Sequence, residues 1–178
     1  MSRRPLPLAR VYAVLEPGPV VLLTTSRKGK PNVMPMSWTM MLDFEPPRIA
    51  CVVSEDNFSF AALKATRECV LNIPTVELLD AVVGIGNISG GKVDKFQKFH
   101  LTPVPGEVVS APLIDECYAA LECRVTDTRM VNRYNVFVLE CVRAWVDPAR
   151  KPPRTIHHRG DGLFMVAGEE IRTASKKK

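Results

Sequence analysis

Between residues 19 and 166 the chain runs through a succession of short β-rich segments, each closed by turn-forming residues and only a few separated by helical patterns. That rhythm argues against a doubly wound sheet, whose connections need a long amphipathic helix after nearly every strand, and for a mainly β fold with inserted helices. Residues 19–26 read as a strand, Arg27-Lys28-Gly29-Lys30 as its turn and residues 32–42 as a second strand, which predicts a hairpin. A third strand over 48–54 is set off by Pro46-Pro47. Asn57 is placed to cap a helix over 58–66, because its short side chain can accept from the first free backbone amides, and 68–73 returns to strand. Thr75 predicts the start of another helix through Val83, ended by Gly84 and Gly86, and a short helix is expected over 94–99. Two long strands follow, 117–128 and 134–147, the second apolar on both faces as a central barrel strand is. Short strands over 155–158 and 163–166 complete the pattern. These segments suit a closed or nearly closed barrel; read alone, they also accommodate an α+β sandwich.

Composition narrows the class. With 178 residues, 46% of them hydrophobic and 24% charged, the chain has enough apolar material for one ordered core, so residues 1–178 are expected to form a single domain. Lys and Arg number 24 against 19 Asp and Glu, a formal charge of +5. Arg3 and Arg4 at one end and Lys176, Lys177 and Lys178 at the other account for five of the positive charges, so basic tails are expected at 1–5 and 174–178 around a neutral body. Terminal charge of this kind gives no binding face for nucleic acid, and none is expected as a partner. The five cysteines include no C-x-x-C pair and several sit in apolar runs, as Cys51 does in Ile49-Ala50-Cys51-Val52-Val53, which predicts buried reduced thiols. No run approaches the ~18 apolar residues of a membrane helix, and Arg10, Glu16, Pro17 and Pro19 interrupt any secretory leader, so a cytoplasmic protein without a membrane partner is expected.

Several motifs fail on their context. Gly86-Asn87-Ile88-Ser89-Gly90-Gly91-Lys92 satisfies part of a phosphate-binding loop, yet Val93 stands where a magnesium-binding hydroxyl is needed and the segment follows a helical pattern. The chain has no G-x-S-x-G elbow, no H-E-x-x-H, and no spacing of His100, His157 and His158 with the cysteines that makes a zinc site, so no metal is expected. More informative is the run Asn32-Val33-Met34-Pro35-Met36-Ser37-Trp38-Thr39, followed by Pro46-Pro47 and by Ser54-Glu55-Asp56-Asn57-Phe58-Ser59. On residue types alone, this is a strand with a proline and a tryptophan, then a polar loop that opens a helix.

The order and spacing of these pieces resemble the flavin reductase-like family, particularly its flavoredoxin-type members, which share an FMN-binding split β-barrel. The resemblance extends through Pro19-Val20-Val21-Leu22-Leu23-Thr24-Thr25, the Asn-x-x-Pro-Met-Ser-Trp stretch, Glu45-Pro46-Pro47, Glu68-Cys69-Val70-Leu71-Asn72-Ile73-Pro74, Asp94-Lys95-Phe96 and Gly162-Leu163-Phe164-Met165-Val166-Ala167-Gly168. It implies non-covalent FMN, with Asn32 and the backbone around Met36, Ser37 and Trp38 at the polar edge of the flavin ring. It places Ser54, Asn57 and Ser59 near the phosphate or ribityl chain, Lys95 as countercharge with Lys92 and Lys98 as lesser substitutes, and Phe164 over the ring. Many relatives carry a histidine at the start of the long late strand, where this chain reads Arg133-Tyr134-Asn135; Tyr134 offers a ring and a hydrogen-bonding oxygen but no cation near neutrality. The implied activity passes reducing equivalents from NAD(P)H through FMN to a flavin or other small acceptor. No catalytic side chain is required, because the flavin performs the redox step. The alternatives are flavoredoxin-like electron transfer between protein partners and a non-catalytic flavin-binding module. A homodimer is expected by the same resemblance.

Overall fold

The computed structural model describes residues 3–15, 17–150 and 152–174. Its elements begin with β1 (Arg4–Pro5), α1 (Tyr12–Leu15), β2 (Val21–Arg27), β3 (Lys30–Met36), β4 (Thr39–Phe44) and β5 (Pro47–Val52). They continue with α2 (Phe58–Thr66), β6 (Glu68–Ile73), α3 (Leu79–Gly86), α4 (Lys95–Lys98), β7 (Pro103–Val104) and β8 (Leu113–Ile114). Last come β9 (Ala119–Asp127), α5 (Val131–Tyr134), β10 (Val136–Val146), β11 (Ile156–His158) and β12 (Phe164–Val166).

The main sheet has the order β3-β2-β6-β9-β10-β5-β4, with β1 added to β10. All its pairings are antiparallel. The first hairpin forms because Lys28 and Gly29 both take positive φ, the geometry of the two-residue turn whose twist matches the strands it joins. The two outer strands, β3 and β4, are consecutive in the chain yet lie at opposite edges of the sheet. Both nevertheless turn side chains into one core: Met34 and Met36 from β3 and Met41 from β4 pack with Leu23, Ile49, Leu71, Leu121 and Phe137. The sheet is therefore rolled into a barrel whose seam runs between β3 and β4. α2 covers one part of it, burying Leu63 completely, and Phe60 meets Phe137 edge to face at 5.6 Å, an arrangement that adds about 0.5–1.5 kcal/mol beyond area burial.

A second core lies outside the barrel. Val20, Leu22 and Val33 pack there against Val82 and Ile85 of α3 and Phe96 of α4, and Phe164 and Val166 of the β11–β12 hairpin join them. Gly84 allows the close approach: a Cβ there would stand 2.4 Å from the Phe99 ring. This outer layer creates the clefts described below.

Several expectations are corrected. The strand predicted over 32–42 is two strands, broken at Ser37-Trp38, where the chain crosses the seam from one sheet edge to the other. Gly84 and Gly86 do not terminate a helix at Val83; they belong to α3, where small residues admit Phe99 and Pro35. Thr75 opens a 3-10 turn over Val76–Leu78 rather than the α-helix itself. Asn57 occupies the N-cap position of α2, but its side chain makes no capping hydrogen bond. Tyr134 closes the short helix α5 instead of starting the long strand, which begins at Val136. That strand alternates buried and half-buried residues rather than burying both faces.

The expected basic tail at the amino end is also revised. Arg4 pairs with Val146 in the sheet, and the Arg3 guanidinium donates to the Ile114 carbonyl, with burial lowering its proton affinity. Lys176, Lys177 and Lys178 lie outside the described residues. All five cysteines are buried, four of them in the barrel core. No helix among the described residues is long and apolar enough to cross a membrane.

Candidate functional site

α4 is only four residues long, and its position is set by Phe96, which is buried in the outer core, and by Asp94, whose carboxylate accepts from the Gln97 amide at 3.1 Å. This pins Lys95 at the first helical position with its side chain directed inward. Lys95 is 6% exposed, and its Nζ donates to the Val33 carbonyl and the Ile85 carbonyl, both at 3.0 Å. One acceptor lies on the outermost strand of the sheet and the other in the last turn of α3, where carbonyls lack helical partners and a cation is favoured. An ammonium has three donors, and the third is bonded to no described residue. No carboxylate among the described residues pairs with Lys95, and burial holds its ammonium below the usual lysine range. A buried cation of this kind is stabilised by an anion.

Lys95 lines a polar cavity of about 380 Å³. β3 contributes Asn32, the amino end of α2 contributes Asn57 and Ser59, and the loop after α3 contributes Asn87, Ser89 and Gly90. Asn32 and Ser59 are both buried, and the Asn32 amide donates to the Ser59 hydroxyl at 2.7 Å. The loop presses on this pair: a Cβ at Gly90 would sit 1.8 Å from the Asn32 Oδ1. Asp56 is the acidic residue of the lining, but it is exposed, where solvent screens its charge far more than that of buried Lys95.

An apolar cavity of about 300 Å³ adjoins the polar one, and Pro35, Gly86 and Asn87 wall both. Met36, Ser37, Val82 and Val83 form one side, and Phe164 with His158 of the β11–β12 hairpin forms another. The pair makes a composite cleft, apolar at one end and polar with a buried cation at the other. Both volumes fall in the range of small-molecule sites.

Of the ten residues singled out from the sequence, Asn32, Asn57, Ser59 and Lys95 line the polar cavity and Met36, Ser37 and Phe164 the apolar one. Three line neither. Trp38 is 71% exposed beside the barrel seam. Ser54 builds the turn before α2, its Oγ accepting from the Asp56 amide at 3.3 Å. Tyr134 stands half exposed with the Arg133 guanidinium 5.1 Å from its ring centre. Nor do Lys92 and Lys98 line either cavity. Sequence reasoning missed the walls supplied by α3 and the loop from Asn87 to Gly90. The loop did leave a signal: it is the Gly86–Lys92 segment set aside as an incomplete phosphate motif.

The sequence profile of the flavin reductase like domain matches residues 14–162. A protein of Escherichia coli K12, YddH, described as uncharacterized, is 30% identical over 182 residues, covering 94% of this chain and 96% of its own. The crystal structure of an FMN-binding domain of a flavin reductases-like enzyme from Shewanella baltica OS155 superimposes with a TM-score of 0.90 at 25% identity, covering 97% of this chain and 98% of that one. The flavoredoxin from Methanosarcina acetivorans gives a TM-score of 0.77 at 27% identity over 89% of each chain.

Proposed function

Because the chain belongs to the flavin reductase like domain family and has its split β-barrel, we propose that it binds FMN in the composite cleft and passes reducing equivalents from NAD(P)H to a flavin or another small acceptor. The carrying observation is Lys95: a buried ammonium that pairs with no carboxylate among the described residues, with one donor bonded to none of them, in a polar cavity that adjoins an apolar one. FMN has the matching polarity, a tricyclic ring at one end and a dianionic phosphate at the other. Lys95 supplies the phosphate's countercharge, with Ser59, Asn57 and the loop at Ser89 and Gly90 around it. Asn32 is held in one orientation by Ser59 and presents its carbonyl oxygen as an acceptor. Met36, Val82 and Phe164 exclude water from the ring, and the backbone at Ser37 offers polar contact without a titrating group. FMN, when bound, supplies the hydride chemistry; the chain supplies orientation, dryness and charge.

Self-association belongs to the same proposal. Trp38, immediately before edge strand β4, and Met40, Leu42 and Phe44 on it recur at every second position and are all exposed, between 48% and 71%. An apolar stripe on an unpaired edge is an association surface, and a second copy of the chain is its proposed occupant. Sedimentation analysis is expected to show a dimer that Met40→Glu dissociates; a monomer at micromolar concentration refutes it.

Activity is tested by mixing the FMN-loaded protein anaerobically with NADH or NADPH and following loss of the flavin's visible absorption. Bleaching by either nicotinamide supports the reductase reading. Bleaching by dithionite alone transfers support to flavoredoxin-like exchange with protein partners, the reading supported by Tyr134, which by the resemblance stands where many relatives carry a histidine and lies outside both cavities.

A further inference from the structure

Among the residues that wall the apolar cavity, His158 alone is ionisable. It stands on β11, opposite Phe164 of β12, and the two rings lie 5.1 Å apart. Its neighbour His157 is held in place by the Gly18 carbonyl on Nδ1 and the Thr155 hydroxyl on Nε2, each at 3.1 Å. Neither ring nitrogen of His158 is bonded to a described residue, so both remain available to an occupant of the cavity or to water. The facing elements bring no rival charge to the cavity wall. β3 contributes Pro35, Met36 and Ser37, and α3 contributes Val82, Val83 and Gly86, while Asp80, the charged residue of α3, is not part of the wall. Arg159 and Asp161, in the turn of the same hairpin, are exposed and also absent from the wall.

We propose that His158 is the proton-exchanging residue of the ring cavity and makes the preference of the site for reduced over oxidised FMN depend on pH. The inference rests on the FMN reading above. Histidine is the side chain whose ordinary charge change falls between about pH 5 and 8. An imidazole carries a positive charge when protonated and none when neutral. Reduced FMN carries two more electrons than the oxidised form and, when one proton accompanies them, one more negative charge. His158 in its protonated form therefore favours the reduced form, and that advantage fades as pH rises. No other residue in the wall reproduces the effect, and Tyr134, standing elsewhere, does not either.

The test uses the full chain loaded with FMN. The ratio of reduced- to oxidised-FMN affinity is obtained from the equilibrium potential of the bound flavin against a reference dye at pH 6 and pH 8. His158 is exposed, so solvent screens its charge and the effect is that of an exposed pair, about two- to fivefold. His158→Gln is expected to lower the ratio about two- to fivefold at pH 6 and to leave it unchanged at pH 8. His158→Lys, which keeps its charge, is expected to hold the ratio high at both pH values, and His157→Gln to leave its pH dependence unchanged. Equal shifts at the two pH values in His158→Gln, or the same loss in His157→Gln, overturn the inference while leaving FMN binding intact. A wild-type chain that takes up no FMN overturns both.

Discussion

Lys95→Met separates a phosphate-binding lysine from a purely structural one, because the residue also ties β3 to α3. Met is similar in volume and removes the charge. In the free protein two effects oppose each other. The Val33 and Ile85 carbonyls lose their donors, which costs about 1–3 kcal/mol for an unsatisfied buried group, while the desolvation of an unpaired ammonium is relieved. Folding free energy is expected to change by less than about 2 kcal/mol. Binding is affected in one direction only. A hydrogen bond to a charged group contributes about 1.5–3 kcal/mol, so FMN affinity is expected to fall by about 10- to 150-fold, whereas riboflavin, which has no phosphate, changes less than about twofold. Titration of each ligand by flavin fluorescence measures both, with Lys92→Ala as an exposed control that should affect neither. The free protein carries a further signature. Burial lowers the Lys95 pKa, so between that value and the unfolded value of ~10.4 the unfolded chain binds more protons, and stability attributable to this residue rises with pH across that window. Below the window the penalty is fully present, and Lys95→Met abolishes the rise. Equal losses of FMN and riboflavin affinity would refute the assignment and leave Lys95 as a tie between β3 and α3.

Gly90→Ala places a methyl group into Asn32, so either the loop moves out or the Asn32–Ser59 bond breaks; FMN affinity is expected to fall by about 1–3 kcal/mol, with Gly168→Ala, which meets nothing within 4 Å, unchanged. Unaltered FMN titrations for Gly90→Ala would show that the Asn32 orientation is irrelevant. Glu122 is fully buried beneath the segment before β8, its Oε2 accepting from the Val108 and Val109 amides at 2.8 and 3.1 Å and its Oε1 from the Trp145 indole at 2.8 Å. Glu122→Gln sets an amide donor against these donors and is expected to lower stability by about 1–3 kcal/mol in denaturant unfolding, with FMN affinity unchanged; an unaltered midpoint contradicts the arrangement.

The parts of the fold visible in the sequence are those fixed by local chemistry. α2 and β6 fall at their predicted limits because Arg67, in the left-handed conformation, closes the helix immediately before the strand. The β2–β3 hairpin is legible for the same reason, its turn being written in Lys28-Gly29. The break at Ser37-Trp38 was hidden, since both flanks favour strand and what separates them is the rolling of the sheet, a long-range event. Gly84 and Gly86 look like helix ends until Phe99 and Pro35 are brought against them. Of the residues the family resemblance points to, Asn32, Met36 and Ser37 of the Asn-x-x-Pro-Met-Ser-Trp stretch and Lys95 line the cleft while Trp38 does not, and the α3 wall has no local signature. His158 reaches the cavity only because the β11–β12 hairpin packs on the outer core, and Val82 and Val83 read equally well as ordinary helix core. The Gly86–Lys92 segment lacks the preceding strand that a phosphate-loop motif demands; it follows a helix and contributes cavity wall through its small residues.

Whether the composite cleft holds FMN is read from the visible absorption spectrum of the purified chain, before and after incubation with FMN, with the flavin released on denaturation identified by chromatography. Roughly 30 non-hydrogen atoms at about 0.3 kcal/mol each allow about 9 kcal/mol of binding, which corresponds to submicromolar affinity. The expected result is a yellow protein, or one that becomes yellow on incubation, releasing FMN and not FAD in a one-to-one ratio with the chain. A colourless protein that takes up no FMN at micromolar concentration would contradict it.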